Sequence, residues 1–214
     1  MISLRGLRFS YAGGPAFAFA DVDVPQGGVL LVRGPSGSGK STLLALLAGL
    51  LSPAAGRVCV ADTDVGALPS GRRDIWRGRA LGFMPQRLHL SENLSVAGNL
   101  ELPFVCAGIS VDTASVNDVL SRLHIADITR RKPHELSLGQ AQRVALARAL
   151  VRGPAVVVAD EPTANLDDTN AHAVVSLLRD LSAQSRATLV LATHDPRVAS
   201  QISATATIAL EAPA

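Results

Sequence analysis

The sequence predicts an α/β protein with a mostly parallel core sheet. Four short runs are almost entirely apolar, as strands buried on both faces are; they lie at 29–32, 155–160, 188–193 and 206–210. Elsewhere, apolar residues recur every three to four positions, which indicates amphipathic helices. Apolar strands that alternate with helices form parallel sheets covered on both faces.

The N-terminal part of the chain also predicts strands, but with a weaker pattern. The stretch ISLRGLRFSY alternates loosely between apolar and polar residues and would place Leu7, Phe9 and Tyr11 on one face. The stretches 16–24 and 56–65 have a similar pattern.

The helices are predicted from their ends and their apolar stripes. One helix, STLLALLAGL, is closed by Gly49, another can be capped by Asp112, and a third follows Gly139 and runs to Arg152. The helix after Asp112 has the stripe Val116, Val119, Leu120 and Leu123. A fourth helix has the stripe Ala171, Val174, Val175, Leu178 and Leu181.

Length, charge and cysteine content limit the class of protein. A chain of 214 residues suits one domain, or a core with an inserted subdomain. The longest apolar run, at 43–51, is too short to span a bilayer, and no signal-peptide pattern opens the chain, so we expect a cytoplasmic protein. The net charge of +2 does not indicate nucleic-acid binding. Cys59 and Cys106 lack metal-binding spacing and are expected to be ordinary thiols. The basic stretch 72–79 is either a solvated helix face or an interaction patch.

The residues that follow the apolar runs are the candidate site residues, because ligands of such sheets bind beyond the carboxyl ends of the strands. The run at 29–32 leads into GPSGSGKS at 34–41, which fits the phosphate-binding pattern G-x-x-x-x-G-K-[ST] between a strand and a helix. Its glycines would let backbone N–H groups surround a polyphosphate. Lys40 would reach the terminal phosphates, and the Ser41 hydroxyl would bind Mg²⁺.

Two other strand ends carry polar residues. Asp160 and Glu161 follow one run, where the first acid could hold a metal and the second could orient or deprotonate water. His194 follows the run at 188–193 and could bind a γ-phosphate or serve a structural role. The remaining histidines are expected at the surface or in packing positions.

Two features outside the strand ends also suggest ligand contact. The stretch HELSLGQAQR at 134–143 has the form of a helix start, which Ser137 can cap and Gly139 opens to close approach, and helix N-termini bind anions. Tyr11, the one tyrosine, could stack on a base or belong to the core.

Taken together and in this order, the motifs resemble those of the ATP-binding-cassette (ABC) ATPases over essentially the whole chain. The resemblance rests on GPSGSGKST, LSLGQ at 136–140, VVVADE at 156–161 and ANLD at 164–167. It implies a P-loop NTPase (RecA-like) fold with an N-terminal antiparallel β subdomain and an inserted α-helical subdomain. The core would comprise 1–86 and 154–214, and the helical subdomain about 87–153. The segment 81–108 is similar to the lipoprotein-release and macrolide-export branch.

The resemblance implies ATP and Mg²⁺ as cofactors and assigns roles by motif. The metal residues would be Ser41, Gln86 and Asp160, and the catalytic residues Lys40, Gln86, Glu161 and His194. The nucleotide would be held by Tyr11 and by Gly34, Pro35, Ser36, Gly37, Ser38, Gly39, Lys40, Ser41 and Thr42. In this family two cassettes associate head to tail, so a second copy of the chain or a paralogue would contribute Ser137, Gly139, Gln140 and Asp167.

Leu138 departs from the family pattern, which usually has glycine between the serine and the second glycine of the signature. A positive φ at this position would make leucine costly, whereas a helical backbone would tolerate it. We expect tolerance and retained ATP hydrolysis.

The function implied is that of an ATP-hydrolysing subunit of an ABC transporter. It would sit on the inner face of the membrane and energise a separate transmembrane permease through ATP-driven dimerisation, with 87–110 receiving the permease's cytoplasmic helices. One alternative is a mechanical role with a membrane partner, as in lipoprotein extraction or cell division. An ABC ATPase that acts on nucleic acid or ribosomes is disfavoured by the charge balance and the single cassette.

Overall fold

The computed structural model describes residues 1–164 and 166–211. In chain order its strands are β1 (Ile2–Ser10), β2 (Ala16–Ala18), β3 (Val22–Val24), β4 (Val29–Arg33), β5 (Ala55–Val60), β6 (Thr63–Asp64), β7 (Leu81–Met84), β8 (Val156–Asp160), β9 (Thr188–Thr193) and β10 (Ala206–Ala209). Its α-helices are α1 (Lys40–Leu47), α2 (Ser70–Ala80), α3 (Val96–Cys106), α4 (Thr113–Arg122), α5 (Leu138–Leu150), α6 (Asp168–Gln184) and α7 (Pro196–Gln201).

The core sheet is parallel and has the order β10-β4-β9-β8-β7. Its central strands β4, β9 and β8 are buried on both faces, which explains their nearly continuous apolar runs. In β9, for example, Leu189 and Leu191 pack into one hydrophobic cluster, whereas Val190 and Ala192 pack into the other. The predicted α/β class with a parallel sheet is confirmed.

A second, antiparallel sheet has the order β2-β1-β5-β6, with β3 also paired to β1. The predicted shared face of Leu7, Phe9 and Tyr11 is confirmed, since Leu7 is buried, Phe9 packs against the same cluster and the Phe9 and Tyr11 ring centroids are 4.8 Å apart. A register shift between Arg5 and Arg8 divides the strand before this face. Gly6 lies in this shift with a φ of +54°. The buried side chains are consequently Ile2 and Leu4 before the shift and Leu7 after it.

Several element boundaries differ from the predictions. The stretch 16–24 forms two short strands rather than one, and 56–65 forms the hairpin of β5 and β6. Helix α5 ends at Leu150, two residues before the predicted end, and Gly153 then adopts a φ of +60°. No residue of α2 is buried, so its basic stretch is exposed, as both alternatives, a solvated helix face and an interaction patch, require.

Helices α3, α4 and α5 lie between β7 and β8 in the chain, and their apolar sides join the cluster on one face of the core sheet. The predicted stripe of α4 is buried, and Asp112 caps this helix by accepting hydrogen bonds from two backbone N–H groups. The stripe of α6 is buried in the same cluster. In the described ranges 1–164 and 166–211, none of the helices is long and apolar enough to cross a membrane.

Candidate active site

The loop between β4 and α1 has the geometry of an anion site. Gly37 and Gly39 adopt φ values of +81° and +95°, which favour glycine. A Cβ on Gly39 would also lie 2.6 Å from the Phe17 ring, so a larger residue would not fit there. Among the residues that the structure describes, no side chain caps α1, so the first backbone N–H groups of this helix can bind a phosphate.

Lys40, the first residue of α1, is buried at the centre of this loop. Its Nζ donates to the carbonyl oxygens of Gly34 and Pro35 at 2.8 and 3.0 Å. The same atom lies 3.3 Å from Oε1 of Glu161, and each side chain is only 7% exposed. These contacts hold the ammonium group inside the loop, where it faces the Glu161 carboxylate that follows β8.

Asp160 ends β8 and is the most unusual carboxyl group of the site. The Ser41 hydroxyl donates to its Oδ2 at 2.7 Å, whereas its buried Oδ1 has no hydrogen-bond partner within the described part of the protein. Burial raises the pKa of Asp160, the Ser41 hydrogen bond lowers it, and the charge of Glu161 raises it further. An acceptor that is buried and unpaired is suited to a cation.

Glu161 is held by three groups in an unusual backbone conformation. Its φ is +47°, which is costly for a residue other than glycine. Its Oε1 lies 2.7 Å from Nδ1 of His194, and its Oε2 accepts from the Thr193 hydroxyl at 3.1 Å and from the His194 N–H at 3.3 Å. The carboxylate is thus fixed in position, while the His194 side chain stays 58% exposed.

These groups surround one cavity of about 240 Å³ at the ends of four neighbouring strands, β4, β9, β8 and β7. Of the predicted residues it is lined by Ser36, Gly37, Gly39, Lys40, Ser41, Thr42, Gln86, Asp160, Glu161 and His194. Gln86 reaches the cavity from the segment that follows β7. Phe17 lines it as well and was not predicted, because its place beside Gly39 depends on how the antiparallel sheet packs against the phosphate-binding loop.

The residues around Asp160 fit a magnesium ion. No cluster of three or more His, Cys, Asp or Glu side chains able to hold a metal occurs within 1–164 and 166–211. The cavity instead offers a hydroxyl, an amide and a carboxylate with an unpaired oxygen, from Ser41, Gln86 and Asp160. Mg²⁺ prefers such oxygen ligands and takes its remaining ligands from water and substrate phosphates.

Tyr11 lies just beyond β1, next to the phosphate-binding loop. Its hydroxyl is 3.2 Å from the Thr42 hydroxyl, and its ring meets Phe9 and Phe17 edge to face. The side chain is 44% exposed rather than buried in the core. This exposure argues against the alternative that Tyr11 belongs to the core, and its stacking on a base stays a prediction.

The signature residues form the start of α5, away from the cavity. Ser137 caps the helix by accepting from the Gln140 N–H at 3.3 Å, and the Gln140 side chain accepts from the Ser137 N–H at 3.0 Å. Leu138 is the first helical residue and is not among those with positive φ, which resolves the two alternatives in favour of a helical backbone. Its side chain is 47% exposed.

Asp167 lies close to the signature of its own chain. It caps α6 by accepting from the Asn170 backbone at 2.9 Å, and this hydrogen bond is the first cause that lowers its pKa. The Asn170 side chain reaches within 3.2 Å of the position a Cβ on Gly139 would occupy. Asn165, which belongs to the predicted ANLD motif, lies outside the described residues.

Sequence reasoning also missed a hydrogen-bonded cluster beside Glu161. Asp195 accepts from the Thr163 hydroxyl at 3.1 Å and is paired with Arg197, which lowers the pKa of Asp195. Arg197 also contacts Asp168 at the start of α6. The sequence alone gives no sign of this cluster, since its members come from three separate segments.

A phosphate-binding loop, an acid pair and a histidine at the ends of adjacent parallel strands define the class of P-loop nucleotide-hydrolysing proteins. Within that class, a family model described as ABC transporter matches residues 19–164. The chain therefore belongs to the ABC transporter family, of which it is an ATP-hydrolysing cassette.

Two kinds of relative show the same family. The chain is 40% identical to the lipoprotein-releasing system ATP-binding protein LolD of Xanthomonas campestris pv. campestris (strain 8004), over 94% of this chain and 87% of LolD. It is also 40% identical to the macrolide export ATP-binding/permease protein MacB 1/2 of Paracoccus denitrificans (strain Pd 1222), over 94% of this chain. The chain spans only 31% of the length of that second relative.

Solved structures resemble the fold closely. The dimeric structure of MJ0796, a bacterial ABC transporter cassette, superposes with a TM-score of 0.87 at 29% identity and covers 99% of this chain and 95% of its own. A dimeric post-hydrolysis state of MJ0796 bound to ADP and Pi superposes with a TM-score of 0.83 at 30% identity, covering 93% and 90%.

Proposed function

We propose that the chain hydrolyses Mg²⁺-bound ATP between two cassettes and thereby drives a separate membrane permease. The observation that carries this proposal is the cavity at the ends of β4, β9, β8 and β7. It brings a buried lysine, a buried acid pair and an exposed histidine into hydrogen-bond or ion-pair contact. This set can bind a triphosphate, neutralise its charge and direct a water molecule toward its terminal phosphorus.

Catalysis would rest mainly on positioning and charge stabilisation, as in other phosphoryl transfers. Lys40 and the N–H groups at the start of α1 would bind the terminal phosphates and stabilise the charge that develops there. Glu161, fixed by Thr193 and His194, would accept a hydrogen bond or a proton from the attacking water. His194 is exposed enough to contact the γ-phosphate as well.

A magnesium ion would be held by Ser41, Asp160 and Gln86. When bound, it would supply positive charge to the phosphate oxygens and offset the cost of burying Asp160. The Ser41 hydroxyl, which donates to Asp160 at 2.7 Å, would turn its lone pairs to the ion. The unpaired Oδ1 of Asp160 would gain the partner that the protein does not provide.

A second cassette would complete the site. Ser137, Gly139 and Gln140 do not line the cavity of their own chain, yet they form a helix start with an anion-binding polarity. Because Asn170 connects Gly139 with the Asp167 cap, the signature and Asp167 would face a partner together. The dimeric MJ0796 structures support such an arrangement, with the second copy or a paralogue as the partner.

The permease would dock in a groove of about 760 Å³ between α2, α3 and the end of α5. Its apolar lining includes Ile75, Leu102, Pro103, Cys106 and Ile109, and its charged lining is Asp74, Arg77, Arg79, Arg148 and Arg152. Four arginines against one carboxylate would attract an amphipathic helix with acidic side chains. A cytoplasmic helix of a membrane protein would satisfy this requirement and hold the cassette on the inner face of the membrane.

The particular partner is suggested by the relatives. LolD is named as the ATP-binding protein of a lipoprotein-releasing system, and the chain covers most of its length. MacB is named as an ATP-binding/permease protein, and the chain covers only 31% of its length. Both favour a membrane partner over nucleic acid or ribosomes. Because the chain covers 87% of LolD but 31% of MacB, lipoprotein release is the favoured candidate.

The exchange Glu161→Gln tests the proposed reaction. It keeps the shape of the side chain but removes the acceptor charge, so ATP should still bind while turnover falls about 10²–10⁴-fold. ATP binding can be measured by titration calorimetry and turnover by phosphate release. Glu101→Gln, an exposed exchange on α3, is the matched control and should leave both unchanged. Normal turnover in the Glu161 variant would exclude Glu161 from this role.

A further inference from the structure

The segment between Gln86 and α3 is held by side-chain hydrogen bonds at two places. The first of these side chains is Asn99 of α3, which is fully buried. Its Oδ1 accepts from the Ser91 N–H at 2.7 Å, and its Nδ2 donates to the Ser91 and Ser95 carbonyls at 3.1 and 3.0 Å. This fixes the part of the segment that leads into α3, but it leaves four residues between Gln86 and Ser91.

The second side chain is Arg148 of α5, whose hydrogen bonds lie nearer to Gln86. The Arg148 guanidinium donates from Nη1 to the His89 carbonyl at 2.7 Å and from Nη2 to the Leu88 carbonyl at 2.6 Å. The planar fork of arginine matches two adjacent acceptors, which the single ammonium of lysine does not. Two consecutive peptide groups, two and three residues after Gln86, are thereby held in one orientation.

The backbone at this place needs such a restraint. His89 has a φ of +46°, a conformation that costs a residue other than glycine roughly 1–3 kcal/mol and persists where surrounding contacts enforce it. The Arg148 hydrogen bonds engage the carbonyl of this same residue. Without them the turn would relax toward an ordinary conformation, and the direction in which Gln86 leaves β7 would change with it.

We propose that Arg148 is a positioning residue for Gln86: its guanidinium fork fixes the turn at Leu88 and His89 and so sets the amide of Gln86 at the metal side of the cavity. This inference rests on the proposed role of Gln86 in holding Mg²⁺. Arg148 belongs to the helix whose first turn carries Ser137, and it also lines the groove proposed for the permease. One side chain therefore joins the groove, the signature helix and the metal side of the site.

Arg152 provides a matched control. It also lines the groove and also donates to a backbone carbonyl, that of Gly78 in α2. It differs from Arg148 in that it does not contact the segment after Gln86. Lysine at either position keeps the positive charge of the groove but lacks the paired N–H donors of the planar guanidinium group.

The test is the Mg²⁺ dependence of ATP hydrolysis by the full chain. Four variants are compared with wild type: Arg148→Lys, Arg152→Lys, Gln86→Ala and the double variant Gln86→Ala/Arg148→Lys. We expect Arg148→Lys to raise the Mg²⁺ concentration for half-maximal activity about tenfold, as loss of a supporting contact does at other metal sites. Binding of ATP in EDTA should stay unchanged. Arg152→Lys should leave the Mg²⁺ concentration for half-maximal activity unchanged, and the double variant should match Gln86→Ala alone.

Three results would overturn the inference while leaving the metal role of Gln86 intact. The first is a shift in Gln86→Ala without one in Arg148→Lys. The second is an additive double variant, which would mean that Arg148 does not act through Gln86. The third is an equal shift in Arg152→Lys, which would point to the groove charge or lining in general. No shift in Gln86→Ala would instead refute the metal role of Gln86, and the inference with it. If Arg148→Lys does not fold, Arg148→Gln, which keeps one donor, replaces it under the same criteria.

Discussion

At the scale of single residues, the site concentrates features that cost stability. Asp160 is a buried carboxyl with one unpaired oxygen, it stands next to a second carboxylate, and Glu161 has a left-handed backbone. Each feature is unfavourable in the protein alone and becomes useful once a cation and phosphates are bound. Replacing the residues that carry the proposed chemistry should therefore raise the stability of the folded protein and lower its activity.

Asp160→Asn is the sharpest case. The amide keeps the shape and can accept the Ser41 hydrogen bond, but it removes the buried charge. We expect the nucleotide-free chain to melt about 2–4 °C higher, the change that ~1 kcal/mol produces in a domain of this size, and Mg²⁺-dependent hydrolysis to be lost. Differential scanning calorimetry and phosphate release measure the two effects.

The pH dependence of this gain follows from the raised pKa of Asp160. In the wild type, the folded state binds the Asp160 proton more tightly than the unfolded state does. The protonated carboxyl therefore favours folding at low pH, and this contribution is lost as the pH rises through the raised pKa. The advantage of asparagine should therefore be small at about pH 4 and larger at about pH 7.5. Asp127→Asn, at an exposed position, should show no such trend. An asparagine variant less stable than wild type at both values would contradict the account.

The residues found from sequence and those missed differ in a physical way. Lys40, Ser41, Asp160 and His194 each follow an apolar strand, so the topology of a parallel sheet already implies that they meet. Phe17 comes from the other sheet, and its place depends on how the two sheets pack. That packing is set by side-chain shape, which no sequence spacing expresses.

At the scale of elements, strands buried on both faces were the most predictable. Strands β4, β8 and β9 have nearly continuous apolar runs because each of their faces meets a hydrophobic cluster, whereas β10 contributes Ala206 and Ile208 to one cluster alone. Strand β7 was not predicted, since it has four residues and contains Gly82. That glycine allows close packing, because a Cβ there would lie 2.1 Å from the Ala149 carbonyl oxygen. Helix α3 was not predicted either, because it contains Pro103 and lacks a polar face.

Helix α5 decides the question of Leu138. Because the helix begins at this residue, leucine needs no unusual backbone, and glycine would lower helix stability by at most about 1 kcal/mol. We expect Leu138→Gly to change ATP turnover by no more than about threefold, since a loss of ~1 kcal/mol in the helix leaves the domain folded. Leu138→Ala separates loss of the side chain from gain of backbone freedom. A wild type without ATPase activity that is rescued by glycine would contradict this view.

At the scale of the whole molecule, the two regions proposed to form the nucleotide site do not meet within one chain. The cavity is the proposed phosphate-binding side, whereas the start of α5, the proposed second half, is a capped helix end that does not line the cavity. The sequence predicts both halves through their motifs. It does not place them relative to each other, because that arrangement depends on the packing of α5 against the core. Their separation is the structural reason to propose a partner cassette.

The most direct test is ATP-driven dimerisation in the Glu161→Gln background, measured by sedimentation with ATP binding recorded in parallel. Ser137→Asp keeps a helix cap but places a negative charge against a partner's phosphate, and Ser137→Asn is its neutral control. The account predicts that the aspartate chain binds ATP normally as a monomer but does not dimerise, whereas the asparagine chain does both. Loss of ATP binding by the aspartate monomer, or undiminished dimerisation, would show that Ser137 does not act on the nucleotide of a second cassette.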